Sequence, residues 1–319
     1  MRTIFSILFF LLAGLAQANT LPLLNWREEE AAIKEKAQEQ NQPILLAFIK
    51  ADCPWSALLR EVLENLDFSQ VLEQRALVCF YTLHAEGEAE ETALREKFAI
   101  EQCPTLLLLD PKAREFARLG YLSLEAAAYA ECVSDLVADF RTICRVLTKE
   151  EGKPKNWLEL YHKAQQLSCK EFKKIILDRG IRENPDIALL LEKYQALLEE
   201  HSLKSRSVRE CRHQLIQRDP HNRLGVHFKL AMADFHKRVA LKGRKSPEKI
   251  LQPLMQYLKR YEKKDKDNAW RAEMEIAHYL AGLDRYGNAL EFARRAQAHA
   301  PQDMREGIAA SIEYMQSRL

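Results

Sequence analysis

The sequence predicts an α/β layer structure followed by an all-helical part. Three observations predict it. Up to about residue 149, short apolar runs without helical gaps alternate with helix-spaced stretches, the pattern of a sheet covered by helices. Beyond the Gly152-Lys153-Pro154 break, everything to Leu319 has helical spacing. The charge balance also changes sign there. Asn19 to Lys149 carries 14 Lys and Arg against 22 Asp and Glu, a balance of −8, whereas Glu150 to Leu319 carries 33 against 24, a balance of +9. A chain of 319 residues is long enough for two such domains, here residues 19–149 and 150–319.

Residues 1–18 have the form of a secretory signal. Arg2 supplies the positive start, Ile4 to Leu15 the apolar run, and Ala16-Gln17-Ala18 the small-residue cleavage site. Cleavage after Ala18 would leave a mature chain starting near Asn19 in a periplasm or otherwise outside the cytoplasm; an uncleaved anchor is the alternative. Export and the interleaving of basic with acidic residues both argue against nucleic acid as a partner. Seven cysteines, at 53, 79, 103, 132, 144, 169 and 211, leave at least one thiol unpaired or intermolecular in an oxidising space. No Cys or His pair has zinc-ligand spacing, so neither a metal nor another cofactor is expected.

Taken in order, Trp26 to Gln40 is an amphipathic helix with Ala31, Ala32, Ile33 and Ala37 on its apolar face. Ile44 to Ile49 is a buried strand. Trp55 to Leu63 returns to helical spacing. Ala76 to Leu83 is a second strand, rich in β-branched and aromatic residues, and Cys79 on it belongs to the core. His84, the only histidine before residue 150, falls past its end and is a weak candidate base. Glu88 to Phe98 is helical. Leu106 to Leu109 is a third strand closed by the Asp110-Pro111 turn, and Arg114 to Leu119 an edge strand ending at Gly120. Leu124 to Leu147 is a long helix, on which Cys132 and Cys144 stand about 18 Å apart and cannot bridge.

The chemistry concentrates at Cys53. It follows the first strand and precedes Pro54, and proline is favoured at the first position of a helix. The residue just ahead of it then sits among unpaired N–H groups at the positive end of the helix dipole. A thiolate is stabilised there, so Cys53 should be the reactive cysteine. A buried structural cysteine is the alternative.

The order of parts resembles the thioredoxin fold over roughly Leu23 to Val146. The resemblance rests on strand-Cys53-Pro54-Trp55-Ser56-helix, on Cys103-Pro104-Thr105-Leu106-Leu107 some fifty residues later, and on Gly120 before the last helix. The leading helix with Trp26, followed by Gln42-Pro43-Ile44-Leu45-Leu46, looks like the bacterial envelope thioredoxin-like and disulfide-isomerase-like proteins. The resemblance implies that Cys53 is the nucleophile and that the Cys103–Pro104 bond is cis. It places Trp55, Pro104 and Thr105 on the substrate side, and makes protein disulfides or thiols the substrates, with a redox protein as a further partner. Three positions depart from the pattern: Ser56 replaces the second cysteine, Ala47 the buried acid, and Asp52 the tryptophan before the nucleophile. The resulting C-x-x-S site suits isomerisation or monothiol reduction, with Ser56 holding the sulfur ionised and Cys103 facing it as a candidate resolving cysteine. A non-catalytic scaffold or chaperone is the alternative function.

In the second part, candidate helices run near 157–168, 170–179, 186–200, 206–218, 226–242, 247–263, 269–283, 289–300 and 301–318, with short connections that imply antiparallel neighbours. Ala277, Ala289, Ala296 and Pro301 have spacing that resembles a tetratricopeptide unit, and an array of that kind would bind protein segments or form a homo-oligomer. A plain helical bundle is the alternative. Its aromatic residues are most simply core. Cys169 and Cys211 sit on different helices and could pair.

Overall fold

The structure, a computed structural model, describes residues 26–50, 52–74, 78–84, 95–148, 152, 154, 156–241 and 246–319. The expected signal segment 1–18 and the start of the expected helix at Glu88 lie outside the described residues. Two compact units divide between Ile176 and Leu177.

The first unit is built on a mixed four-stranded sheet in the order β2-β1-β3-β4, from β1 (Ile44–Lys50), β2 (Val78–His84), β3 (Thr105–Leu109) and β4 (Glu115–Leu119). β1 runs parallel to β2, with Ile44 opposite Val78 and Lys50 opposite His84. It runs antiparallel to β3, with Leu46 opposite Leu107 and Phe48 opposite Thr105. Every residue of β1 from Ile44 to Ile49 and all of β3 are buried, as continuous apolar runs require when both faces of a sheet are covered. Alternation divides the two faces. Ile44, Leu46, Phe48, Leu107 and Leu109 pack with Ile33 and Ala37 of α1 (Trp26–Glu39) and with Phe98 and Ile100. The opposite face is covered by α2 (Pro54–Glu64), α3 (Leu66–Gln74) and the long α4 (Ala126–Thr148). There Phe68 meets Tyr129 edge-on at 6.3 Å between ring centroids, and the Tyr129 hydroxyl donates to the Gly120 carbonyl at 2.7 Å. β4 is the edge strand expected from the sequence.

The charge shift near residue 150 suggests an earlier division than the one the structure has. α5 (Trp157–Gln165), capped by Asn156, buries Trp157, Leu160, Tyr161 and Ala164 and packs on α4, with Lys163 2.9 Å from Asp139. Ser168 donates its amide to the Phe116 carbonyl at 2.8 Å, and the Phe172 ring lies 5.9 Å from that of Phe140, which itself stacks on Phe116. These contacts hold the segment to the sheet unit, so the division falls inside α6 (Lys170–Glu183).

The second unit continues through α7 (Ile187–Glu200), α8 (Arg206–Arg218), α9 (Val226–Ala240), α10 (Pro247–Tyr261), α11 (Lys266–Ala281), α12 (Tyr286–His299) and α13 (Gln302–Gln316). One core cluster joins α7, α8 and the start of α9; a larger one runs from α9 to α13. Ala277, Ala289, Ala293 and Ala296 are fully buried, and these small side chains let α11 and α12 approach closely. The polar break after α8 is an ordered hub. Buried Asp219 accepts the amides of Arg223, Leu224 and Val226 at 2.7, 3.0 and 3.2 Å, and Asn222 takes a left-handed φ of 58°. The Asn222 side chain in turn bonds Asp265 at 2.6 Å, and Asp265 accepts the Tyr257 hydroxyl at 2.7 Å. Removing the Asp219 carboxylate strands three buried or part-buried amides. Asp219→Ala should therefore cost about 2–4 kcal/mol, read as a lower urea midpoint for loss of the helical circular-dichroism signal. A midpoint unchanged from wild type would show that the loop is held by other means.

Candidate functional site

β1 delivers the chain to the site. After Lys50 the backbone turns, with the Cys53 amide donating to the Lys50 carbonyl at 3.3 Å. Cys53 occupies the N-cap of α2 in extended conformation, with Pro54 at the first helical position and no acidic residue in the first turn. Its thiol is partly exposed, and Sγ donates to the Cys103 carbonyl at 3.7 Å. The thiol pKa is lowered from its ordinary value. The Ser56 hydroxyl is the main cause and the Ser56 amide the next. Burial opposes them, and the Trp55 amide and the Lys50 charge add to the lowering. Ser56 itself is buried, and its Oγ accepts the Lys50 amide at 3.1 Å.

The Cys103–Pro104 peptide is cis. Pro104 and Thr105 are buried, and the Thr105 hydroxyl donates to the Gln102 carbonyl at 2.6 Å. The Cys103 side chain, partly buried, packs against the cluster under α1. Trp55 is 59% exposed, its ring 5.7 Å from that of Tyr121. The structure thus brings Cys53, Ser56 and the Cys103 carbonyl together and sets Trp55 at the rim. Tyr121 was missed by sequence reasoning; the signal available was an aromatic directly after Gly120, where a strand ends beside the site. Asp52 is exposed in the turn.

The other thiols differ. Burial, and secondarily Asp135, raises the Cys132 thiol. Cys169 donates to the Glu115 carbonyl at 3.6 Å, and burial raises it. Cys211 is buried, donates to the Leu190 carbonyl at 3.6 Å, and is pushed up to about 11 by burial. Cys79 lies on β2 opposite Leu45, with its side chain outside what is described. Among the described residues the lowered thiol is Cys53.

Glu262, Glu273 and His299 bring carboxylate oxygens and a ring nitrogen within 4.8 Å of one another. The Arg295 guanidinium lies 2.7 Å from Glu262 and 3.1 Å from Glu273, with His299 3.0 Å from Glu273. A cation already fills the charge position, so this is an ion-pair cluster around a buried glutamate.

No family model matches the chain. The thioredoxin-related protein DsbJ of Chlamydia pneumoniae is 29% identical over 304 residues, covering 91% of this chain and 87% of that protein. A solved structure of DsbH oxidoreductase is 20% identical, covers 35% of this chain and 81% of its own, and superposes with a TM-score of 0.30. The mixed sheet, the cysteine at the α2 N-terminus and the cis-proline facing it define a thioredoxin-like protein. Along nearly its whole length this chain is similar to a thioredoxin-related protein.

The Ser56 contribution gives a pH test. A lowered thiol pKa means more thiolate at neutral pH and faster alkylation. Ser56→Ala removes the main lowering cause, so the midpoint of Cys53 alkylation against pH should move upward and the rate at pH 7 should fall. Mass spectrometry of the iodoacetamide-treated Cys53 peptide measures it. A midpoint that stays in place or moves down assigns the lowering elsewhere.

Proposed function

We propose that this protein is an exported thiol–disulfide exchange enzyme that acts on cysteine-containing envelope proteins through Cys53. The observation that carries this is the Cys53 thiol, lowered by Ser56 at the start of α2 and facing the carbonyl before the cis-proline. The similarity to a thioredoxin-related protein supports it. Among the described residues no helix is long and apolar enough to cross a membrane.

The Cys53 thiolate attacks one sulfur of a substrate disulfide. The substrate S–S bond breaks, a Cys53–substrate disulfide forms, and the other substrate sulfur leaves as a thiolate. Ser56 has no sulfur with which to attack this adduct. A second substrate thiolate can attack it instead, restoring the Cys53 thiolate with no net electron transfer, which is isomerisation. Alternatively the Cys103 thiolate attacks Cys53 Sγ. That step releases reduced substrate and leaves a Cys53–Cys103 disulfide, which a dithiol redox partner must then reduce by two electrons. Trp55, Pro104 and Thr105 form the substrate side of the site. The helical part, tetratricopeptide-like and bounded near residue 150 in the sequence, supplies protein contacts or self-association. The replacement of the second cysteine by Ser56 favours a second reading, a scaffold or chaperone without turnover.

Trapping separates the two. In an oxidising compartment, wild type should give mixed disulfides on a non-reducing gel, and Cys53→Ser should lose them. Cys103→Ala should accumulate more than wild type if Cys103 resolves them. No adducts above the Cys53→Ser background would leave the scaffold reading; equal adducts and equal turnover with and without Cys103 would assign isomerisation to Cys53 alone. Export has its own check. The secreted chain should have the intact mass of a protein beginning at Asn19, and a soluble cytoplasmic chain retaining Met1 would refute it.

A further inference from the structure

The second unit contains a groove of about 1080 Å³ lined by α8, α9 and α10 together with Tyr194 of α7 and the turn before α8. α9 packs against both α8 and α10, so its face forms the floor and its neighbours the walls. The volume exceeds the roughly 300–1,000 Å³ of ordinary small-molecule sites.

The walls are basic. Lys204, Arg209, Lys249 and Arg260 line the groove and are exposed. Among the described residues none of the four side chains has a carboxylate partner; Arg260 rests on the Tyr261 ring at 5.3 Å. The two groove carboxylates are already neutralised. Asp234, buried, accepts from the Tyr194 hydroxyl and from Arg212, and Glu248 pairs with Arg285 at 3.2 Å. The groove therefore presents uncompensated positive charge.

Its remaining chemistry distinguishes between anions. Gln252 and Gln256, one turn apart on α10, are exposed and line the same wall; Gln252 Oε1 accepts from Arg238 at 3.1 Å, so Gln252 offers its NH2 group and Gln256 its whole amide. A primary amide donates and accepts at once, which matches the alternating N–H and C=O groups of an extended polypeptide. Lys249 and Arg260 lie about 16 Å apart along α10 at 1.5 Å per residue, the reach of about five residues of extended chain. The groove tyrosines Tyr257 and Tyr261 are 4% and 5% exposed, so neither offers an open face on which a nucleic-acid base could stack.

We propose that this groove binds an acidic, extended polypeptide segment of a partner protein. Its glutamate or aspartate side chains would meet the four cations and its main chain the two glutamines. This binding rests on the reading that the helical part supplies protein contacts, and does not pass through the exchange reaction assigned to Cys53.

The test uses the full chain and a fluorescein-labelled glutamate-rich peptide with spaced leucines and no cysteine, so that the readout does not pass through Cys53. Fluorescence anisotropy should show saturable binding that weakens as salt is raised. The double reversal Arg209→Glu with Lys249→Glu should weaken it about tenfold, and the neutral pair Arg209→Gln with Lys249→Gln about threefold. Thermal melts check that both variants remain folded; the neutral pair carries the test if the reversal does not. Absence of saturable binding would overturn the proposal, as would affinity indifferent to the folded variants. A labelled single-stranded oligodeoxynucleotide bound more tightly than the peptide would also overturn it, by assigning the groove to nucleic acid.

Discussion

The junction between β1 and α2 depends on one buried hydroxyl. Ser56 Oγ accepts the Lys50 amide where β1 ends and is the main group lowering the Cys53 thiol at the start of α2. A hydroxyl has one proton and two lone pairs, so it can do both at once: receive the strand's last amide and donate to a thiolate. A cysteine at the same position would be a weaker acceptor and donor, and as a thiolate it would repel the charge on Cys53. The serine in the C-x-x-S pattern is thus integrated into the strand-to-helix junction as well as into the electrostatics of the Cys53 thiol. The carbonyl of Cys103 works in the other direction. It accepts the Cys53 S–H at 3.7 Å and so favours the neutral thiol. The two contacts leave a thiol whose ionisation is biased, without locking it in one state.

What was legible in the sequence follows from how local each signal is. The strand, Pro54 and the helix of α2 are adjacent in sequence, and their apolar spacing and the missing proline N–H act within a few residues. The cis bond before Pro104 was inferred from family resemblance and is present. The limits of the first unit were less legible, because the change of charge near residue 150 records surface composition, whereas the division follows packing. Trp157, Tyr161 and Phe172 look like any helical core residues until α4 and β4 are beside them. Tyr121 escaped notice for the same reason: nothing local ties it to Trp55, which stands 66 positions earlier in the sequence.

The groove was illegible for a different reason. Lys204 and Arg209 precede or open α8, whereas Lys249 and Arg260 lie on α10, and each set alone looks like a solvated helix face. Only the folding of α8, α9 and α10 onto one another brings them to a common surface. The turns that accomplish this were visible as polar breaks such as Asp219-Pro220-His221-Asn222. Their composition did not reveal that Asp219 is 3% exposed and saturated with backbone donors.

A contrast within the second unit separates charges that serve the fold from charges that do not. Glu273, fully buried, lies beside Arg295 and His299; its pKa is raised first by burial, and those two neighbours oppose the rise. Asp234 is matched by Arg212 and Tyr194, and Asp265 by Asn222, Tyr257 and Asn268. An unmatched charge at any of these places would cost several kcal/mol. The exposed cations along the groove carry no such cost, since water solvates them, and an exposed pair would return at most about 1 kcal/mol. Stability therefore neither requires those four positive charges nor requires partners for them. Their convergence on one concave surface, beside two amides and a neutralised floor, is a property the fold tolerates and a bound anion would use.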